Sequence, residues 1–160
     1  VSQHGIRIII VDYLQLMTAG GNGKGGGNRE QEISTISRNL KALAKELDTC
    51  IVVLAQLNRA VEGRKDKRPI LMDLRDSGGI EQASNVVMFL HREDYYNNSN
   101  NSKKLSIMEV IIRKNRDGEL GTVSLVFNKE TQEIRTLQKQ PKLIDVGDDE
   151  EDDKKRRPYQ

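Results

Sequence analysis

Two short aliphatic runs on either side of an amphipathic segment place the strongest constraint on the fold. The runs cover residues 6–11 and 50–55 and are rich in isoleucine and valine. Between them, apolar residues recur every three or four positions, which predicts a helix over residues 29–47. A strand, a helix and a strand in this order form a right-handed βαβ unit. We expect its two strands to be parallel and buried on both faces.

The second half of the chain predicts shorter elements. Residues 73–84 contain a polar loop followed by a short helical stretch, and residues 86–90 form a third apolar strand. Two further strands, 105–112 and 122–128, are joined across Asp117-Gly118, a dipeptide typical of hairpin turns. A last short strand is expected near residues 133–137. The chain therefore combines a βαβ unit with a terminal hairpin.

Composition narrows the class of protein. The 160 residues suit one domain, and no apolar run approaches the ~20 residues that span a bilayer. Its first residues do not show the pattern of a secretion signal, so secretion is not expected. The single cysteine, Cys50, excludes an internal disulfide framework, and with only His4 and His91 beside it a zinc site is not expected. We expect Cys50 to be a small buried side chain and both histidines to lie at the surface or at an edge.

Charge is unevenly distributed although the net charge is only +2. Residues 145–157 hold seven acidic side chains and then four basic ones, so the rest of the chain is mildly basic. This balance permits a polyanionic partner without requiring one. We expect residues 1–142 to form the folded part and residues 143–160 a disordered charged tail.

Polar residues follow both strands of the βαβ unit. Asp12 comes directly after the first apolar run and Gln56 directly after the second. An aspartate after four apolar residues is the pattern of a Walker B strand, where the carboxylate holds Mg²⁺, usually through water. Gln56 could orient a water molecule or sense a γ-phosphate. The alternatives are an ordinary turn aspartate and a polar residue that simply leaves a strand.

Two cations lie two residues apart where the predicted hairpin turns. In an extended segment this spacing puts Lys114 and Arg116 on the same side of the chain. Such a pair could clamp a phosphate, and an arginine could act as an arginine finger. From the residues alone, a solvated turn is the favoured interpretation.

Other polar segments carry weaker signals. The loop at residues 75–79 (Arg-Asp-Ser-Gly-Gly) could grip a phosphate backbone or be a linker with a helix cap. The basic segment 59–68 has no aromatic residue and is expected to be a solvated arm. Tyr95-Tyr96 is expected to pack locally.

The chain has no P-loop. Residues 20–27 contain six glycines and Lys24, but no Gly-Lys-Ser/Thr follows, and the loop comes after the aspartate strand. We expect this glycine-rich loop to be mobile. The 160 residues therefore contain no loop of the kind that cradles the β- and γ-phosphates of a nucleotide.

Five segments in order resemble DnaB-family replicative DNA helicases, over residues 6 to about 137. They are Ile-Ile-Ile-Val-Asp-Tyr-Leu-Gln-Leu-Met (8–17), the helical segment 28–47, Leu-Ala-Gln-Leu-Asn-Arg (54–59), the segment 68–82, and Lys-Asn-Arg-Asp-Gly with Gly-Thr-Val (114–118 and 121–123). The family's P-loop and its upstream catalytic glutamate are missing here.

This resemblance implies a fold and a set of site residues. The fold class would be α/β, the C-terminal part of a RecA-like P-loop NTPase domain, with a mostly parallel sheet and a terminal β-hairpin. The cofactors would be ATP and Mg²⁺. Asp12 would hold Mg²⁺, Gln56 would report the γ-phosphate, and Lys114 and Arg116 would reach the neighbouring subunit's nucleotide.

The resemblance also implies partners. Arg75, Asp76 and Gly78 would contact single-stranded DNA in the channel of a homo-hexamer. A primase and a helicase loader would complete a primosome, in a bacterial cytoplasm or a plastid stroma.

The implied activity is ATP-dependent DNA unwinding in the 5′→3′ direction at a replication fork. The chain itself would be the last third of the helicase, as a fragment, an intein-split piece or a short protein, and inactive alone. One alternative is another RecA-like ATPase such as a recombinase, against which the 74–78 loop and the Lys114/Arg116 pair argue. The other is a non-catalytic helicase tail that binds DNA or a helicase ring.

Overall fold

The computed structural model describes residues 5–18, 29–96 and 103–137, with the side chains of residues 75–78 outside that description. In chain order, the helices and strands are β1 (Ile8–Val11), α1 (Arg29–Glu46), β2 (Cys50–Val53), α2 (Gly78–Ala83), β3 (Val86–His91), α3 (Glu93–Tyr96), β4 (Leu105–Asn115), β5 (Gly121–Asn128) and β6 (Ile134–Thr136). Short 3-10 helices lie at Leu14–Leu16, Arg59–Gly63 and Leu71–Ser77. The glycine-rich loop and the charged tail fall outside the described residues.

The βαβ unit is confirmed. β1 and β2 pair in parallel, with Ile8 opposite Cys50 and Val11 opposite Val53. The ladder extends past the strand ends, because the Leu54 amide donates to the Val11 carbonyl and the Leu14 amide donates to the Leu54 carbonyl, both at 2.9 Å. The two segments that follow the strands therefore stay side by side.

The other four strands form an antiparallel meander in the order β3-β4-β5-β6. The predicted hairpin is confirmed as β4–β5, with Ile112 opposite Gly121. Parallel pairing is less extensive than expected, since among the described strands only β1 and β2 pair in parallel. The reason is connection length: parallel neighbours need a crossover of a dozen or more residues, and the links from β4 to β5 and from β5 to β6 are too short.

Two apolar clusters hold the elements together. The first joins α1, α2 and the segment after β1, and consists of Leu14, Ile33, Ile36 and Ile80. The second joins the meander to the 3-10 helix at Leu71–Ser77, and consists of Leu74, Val87, Phe89 and Ile111. α2 therefore packs on α1 while the helix just before it packs on the meander.

One expectation about the strands is wrong. β1 and β2 are partly buried on one face, where Val53 packs against the α1 cluster, and the described residues place nothing on the other. Ile8 and Ile10 are exposed by 59% and 68%. Cys50 is exposed as well, contrary to prediction, because it pairs with Ile8 and so shares the uncovered face.

His91 is also placed differently from the prediction. It is 3% exposed instead of lying at the surface. Alternate residues of β3 face the core, and His91 shares that face with Val87 and Phe89. Its ring stacks on Tyr96, at 5.9 Å between ring centroids.

A carboxylate cluster fastens α3 to the meander. Asp94 forms an ion pair with Lys129 at 2.6 Å, accepts a hydrogen bond from the Ser106 hydroxyl at 2.6 Å, and lies 3.3 Å from Arg92. Burial disfavours the ionised carboxylate, but the hydrogen bonds from Lys129 and Ser106 and the nearby positive charges outweigh it. They lower the pKa of Asp94 to about 2.

We predict that the stability of this chain falls between pH 4 and pH 2 in part through Asp94. A carboxyl whose pKa is lower in the folded state stabilises the fold above its unfolded-state pKa, and that contribution is lost as the pH falls through the folded-state value. Asp94→Asn should remove roughly 1–2 kcal/mol of the difference in unfolding free energy between pH 5 and pH 2.5. Urea unfolding at both pH values measures it.

The matched control is Glu130→Gln, which breaks the exposed ion pair between Glu130 and Lys104. Its pH dependence should remain that of the unmodified chain. An unchanged pH dependence in Asp94→Asn would contradict the prediction.

Candidate functional site

Asp12 and Gln56 lie at the same edge of the parallel pair. Asp12 directly follows β1, and its carboxylate is exposed. Gln56 lies three residues beyond β2 and is likewise exposed. The carboxyl ends of parallel strands are where ligands bind in α/β folds. The structure thus brings together the two residues predicted for magnesium and phosphate, although it does not test those roles.

Gln15 is a residue of this edge that the sequence reasoning missed. Its side-chain amide donates to the Gln56 carbonyl at 3.1 Å, and its side-chain oxygen accepts from the Gln56 amide at 3.2 Å. One side chain therefore satisfies both backbone groups of Gln56 and fixes the backbone from which that side chain projects. The sequence shows only that a polar residue lies three positions after Asp12. The partner of Gln15 becomes clear only when β1 and β2 pair.

Arg29 ties the start of α1 to the same region. Its guanidinium donates to the carbonyls of Gln15, at 2.7 Å, and of Met17, at 3.0 Å. It also pairs with Glu32 within the first turn of the helix. The segment after Asp12 is therefore held from two sides, by β2 and by α1.

Lys114 near the end of β4 and Arg116 just after it both reach α2, so their side chains share one side, as their spacing predicts. The Lys114 ammonium donates to the Glu81 carbonyl, and the Arg116 guanidinium donates to the Gln82 carbonyl at 3.2 Å. Both acceptors belong to the last turn of α2. The pair is therefore anchored to a helix end, which replaces the favoured interpretation of a solvated turn.

The two groups of candidate residues belong to different sheets. Asp12 and Gln56 follow the parallel pair, whereas Lys114 and Arg116 belong to the meander, and the described strands of the two sheets do not pair. The structure therefore places the two pairs of candidate residues next to two separate sheets.

The segment predicted as a polar loop is helical along its backbone. The 3-10 helix runs to Ser77, and α2 starts at Gly78. The side chains of residues 75–78 lie outside the described part of the chain, so the predicted contact of Arg75, Asp76 and Gly78 with DNA stays a prediction. Gly79 has a clear structural role, because a Cβ there would overlap Ser34 of α1, backbone included.

The basic segment is largely exposed, as predicted for a solvated arm, but two of its arginines are anchored to acidic side chains. Arg64 pairs with the buried carboxylate of Asp73 at 2.6 Å, and Arg68 binds Glu109 through two hydrogen bonds, at 2.8 and 3.0 Å. The latter contact raises the pKa of Arg68, mainly through its hydrogen bond to Glu109. Sequence patterns showed the charges but not their partners.

Asp73 also links the segment after β2 to the segment before α2. Its carboxylate accepts from the Ile70 amide at 2.8 Å, and its carbonyl accepts from the Asn58 amide at 3.1 Å. Asn58 is two residues beyond Gln56. Asp73 therefore connects the segment that follows Gln56 to the segment that contains Arg75 and Asp76.

Metal chemistry at this edge rests on few protein ligands. Over the described residues, no three histidine, cysteine or acidic side chains cluster closely enough to hold an ion. Asp12 offers one exposed carboxylate, which suits Mg²⁺ because that ion keeps several waters and takes its other ligands from phosphates. The described helices include none long and apolar enough to cross a membrane.

The fold places this chain in the RecA-like ATPase class. It superposes on the solved ATPase domain of another protein with a TM-score of 0.73 and 49% identity, over 84% of this chain and 46% of that one. A DnaB-like replicative helicase, solved in a study of its interactions with primase, gives the same TM-score and identity over 32% of its length.

The chain belongs to the DnaB-like helicase family, because residues 1–136 match the model of the DnaB-like helicase C terminal domain. It is 48% identical to the replicative DNA helicase DnaB of Geobacillus stearothermophilus over 86% of this chain. It is 47% identical to the replicative DNA helicase DnaC of Bacillus subtilis, again over 86%. A probable replicative DNA helicase from Trieres chinensis is 46% identical over 79%. This chain spans less than a third of each relative's length. The predicted family and fold class are confirmed.

We predict that Gly79→Ala destabilises the chain by about 2 kcal/mol or more, because the added methyl group must push α2 away from α1. The midpoint of urea denaturation measures the effect. Gly63→Ala is the matched control, since a Cβ at Gly63 meets no atom within 4 Å. Equal stability of the two variants would refute the close approach.

Proposed function

We propose that this chain is the C-terminal part of the motor domain of a replicative DNA helicase that unwinds duplex DNA 5′→3′ as a homo-hexamer. The observation that carries the proposal is family membership together with Asp12 and Gln56 at one sheet edge. In this proposal Asp12 holds Mg²⁺ and Gln56 contacts the γ-phosphate of ATP. Bound Mg²⁺ would neutralise phosphate charge during hydrolysis.

A longer motor domain is part of the proposal. No P-loop sequence occurs in the 160 residues, and the relatives are more than three times as long as the matched stretch. The uncovered apolar face of β1 and β2 supports the same view, because isolated domains rarely leave a contiguous apolar face in water. We infer that a P-loop-bearing segment covers that face.

The placement of Lys114 and Arg116 supports a role in trans. Lys114 lies in β4 and Arg116 directly after it, and that sheet does not pair with β1 and β2, the strands that precede Asp12 and Gln56. Cations held next to a separate sheet, on the end of α2, can serve the site of an adjacent subunit. There they stabilise the charge that develops on the transferred phosphoryl group.

The remaining partners follow from the same proposal. Arg75, Asp76 and Gly78 contact the backbone of single-stranded DNA in the channel, and primase and a helicase loader bind elsewhere on the ring. The similar helicase whose structure was solved in a study of its interactions with primase supports primase as a partner. Bacterial relatives favour a bacterial cytoplasm, and the relative from Trieres chinensis supports a plastid stroma.

We predict that Arg116→Ala in the full-length protein lowers ATP turnover by about a thousandfold or more while nucleotide binding changes little. A trans cation acts mainly on the transition state, so kcat falls and the Kd for ATP is retained. Steady-state ATPase assays and nucleotide titration measure the two. The control is Arg113→Ala, which removes the neighbouring arginine of the same strand. Normal turnover by Arg116→Ala would refute the role.

Mixing two inactive variants distinguishes a trans role from one within a single chain. Subunits carrying Asp12→Ala retain the finger, and subunits carrying Arg116→Ala retain the metal ligand. If each site combines Asp12 of one subunit with Arg116 of another, mixed rings regain complete sites and turnover returns. Mixed rings that stay inactive, with exchange of subunits verified, would place Arg116 in the site of its own chain.

We predict that Arg75→Ala weakens binding of single-stranded DNA by about five- to tenfold, because one charge-assisted contact to phosphate is lost. DNA-stimulated ATPase should fall, while basal ATPase changes less. Fluorescence anisotropy with a labelled oligonucleotide measures affinity. Lys103→Ala, an exposed cation next to β4, is the control. Unchanged affinity would remove Arg75 from the DNA site.

A further inference from the structure

Three cations converge on the last turn of α2. Besides Lys114 on the Glu81 carbonyl and Arg116 on the Gln82 carbonyl, the Lys41 ammonium of α1 donates to the Ala83 carbonyl at 2.8 Å. The last four carbonyls of any helix lack partners within the helix. Here the fourth, of Ile80, is taken by the backbone and side chain of Ser84. Every carbonyl of this helix end is therefore satisfied.

Among the described contacts, Lys41 has two acceptors on this side of the molecule, whereas Lys114 and Arg116 have one each. Its ammonium also donates to the side-chain oxygen of Asn85 at 3.0 Å. The Asn85 carbonyl in turn accepts from the backbone amide of Arg116 at 3.1 Å. A continuous path of hydrogen bonds therefore runs from α1, through Asn85, to the backbone of the candidate finger.

The remaining contacts of α1 make it a firm base for this path. Its first residue, Arg29, holds the segment that follows Asp12. Ser34, on the face turned to α2, meets Gly79, and Lys41 lies two turns further along the same face. The first residue of α1 thus contacts the segment after Asp12, and the middle of α1 contacts the end of α2.

We propose that Lys41 is a positioning residue for Arg116 and Lys114. It fixes Asn85 and the end of α2, and so fixes the backbone from which both finger cations project. It stays as the cap of Ala83 when Lys114 and Arg116 leave their carbonyls to reach a phosphate. This inference rests on the proposed function, because it assigns Lys41 to the trans cations of that reaction.

The physical reason is that a trans cation acts only if it is held in place. A finger whose backbone is loose spends less time in the productive geometry, which lowers kcat without weakening nucleotide binding. Loss of one charge-assisted hydrogen bond is enough to change an equilibrium about tenfold. The positive charge of Lys41 also compensates the negative end of α2.

Lys41→Met in the full-length protein tests the proposal, because it keeps the aliphatic length and removes the charge and donors. We expect kcat to fall about tenfold with KM unchanged. Lys41→Arg should retain most of the activity. Lys45 is an exposed lysine one turn further along α1, and Lys45→Met should behave like the unmodified protein.

Two further measurements separate positioning from general loss of structure. If Lys41 acts through Asn85, the double variant of Lys41→Met with Asn85→Ala should be no slower than either single variant. Amide hydrogen exchange at Arg116 should be faster in Lys41→Met and unchanged in Lys45→Met. Additive effects on kcat, or unchanged exchange at Arg116, would overturn the proposal.

Failure of the proposed function has a different signature. It would show as full turnover by Arg116→Ala, whatever happens in Lys41→Met. An inactive Arg116→Ala beside a fully active Lys41→Met would reject the role of Lys41 alone.

Discussion

The parallel pairing of β1 with β2 is the constraint on which the rest of the structure depends. Its register sets Val11 beside Val53 and carries the chain on so that Leu14 still bonds to Leu54. A shift by one residue would move every side chain of a strand to the other face. The register therefore decides at once which residues face α1 and where Asp12 and Gln56 end up. Gln15 and Arg29 then lock the segment beyond the strand end.

Much of the architecture is predictable because it is local. The period of α1, the aliphatic runs and the Asp117-Gly118 turn predict their elements to within a few residues. Burial is harder to predict from the sequence, because it depends on which other elements cover each face of a strand. Ile8, Ile10 and Cys50 look like core residues and are exposed, while His91 looks peripheral and is buried through the alternation of β3.

The candidate site was predictable in part for the same reason. Asp12 and Gln56 are identified by their position after strands, and Lys114 and Arg116 by a spacing of two residues. Their acceptors were not predictable, since a carbonyl of α2 leaves no mark in the sequence. Gln15, Lys41 and Asp73 make contacts between segments 15 to 44 residues apart, and only the assembled fold shows them. The polarity of a residue reveals that it needs a partner, while topology decides which one.

The two sheets differ in how far apart along the chain their partners lie, and this bears on the order of folding. In the meander, β4 meets β5 across a short turn, and β5 meets β6 in the same way. β1 meets β2 only after about 40 residues have been brought back together through α1. Contacts between near neighbours form fast, and distant ones must wait for loop closure. We therefore expect the meander, which contains Lys114, to form before the parallel pair that precedes Asp12 and Gln56.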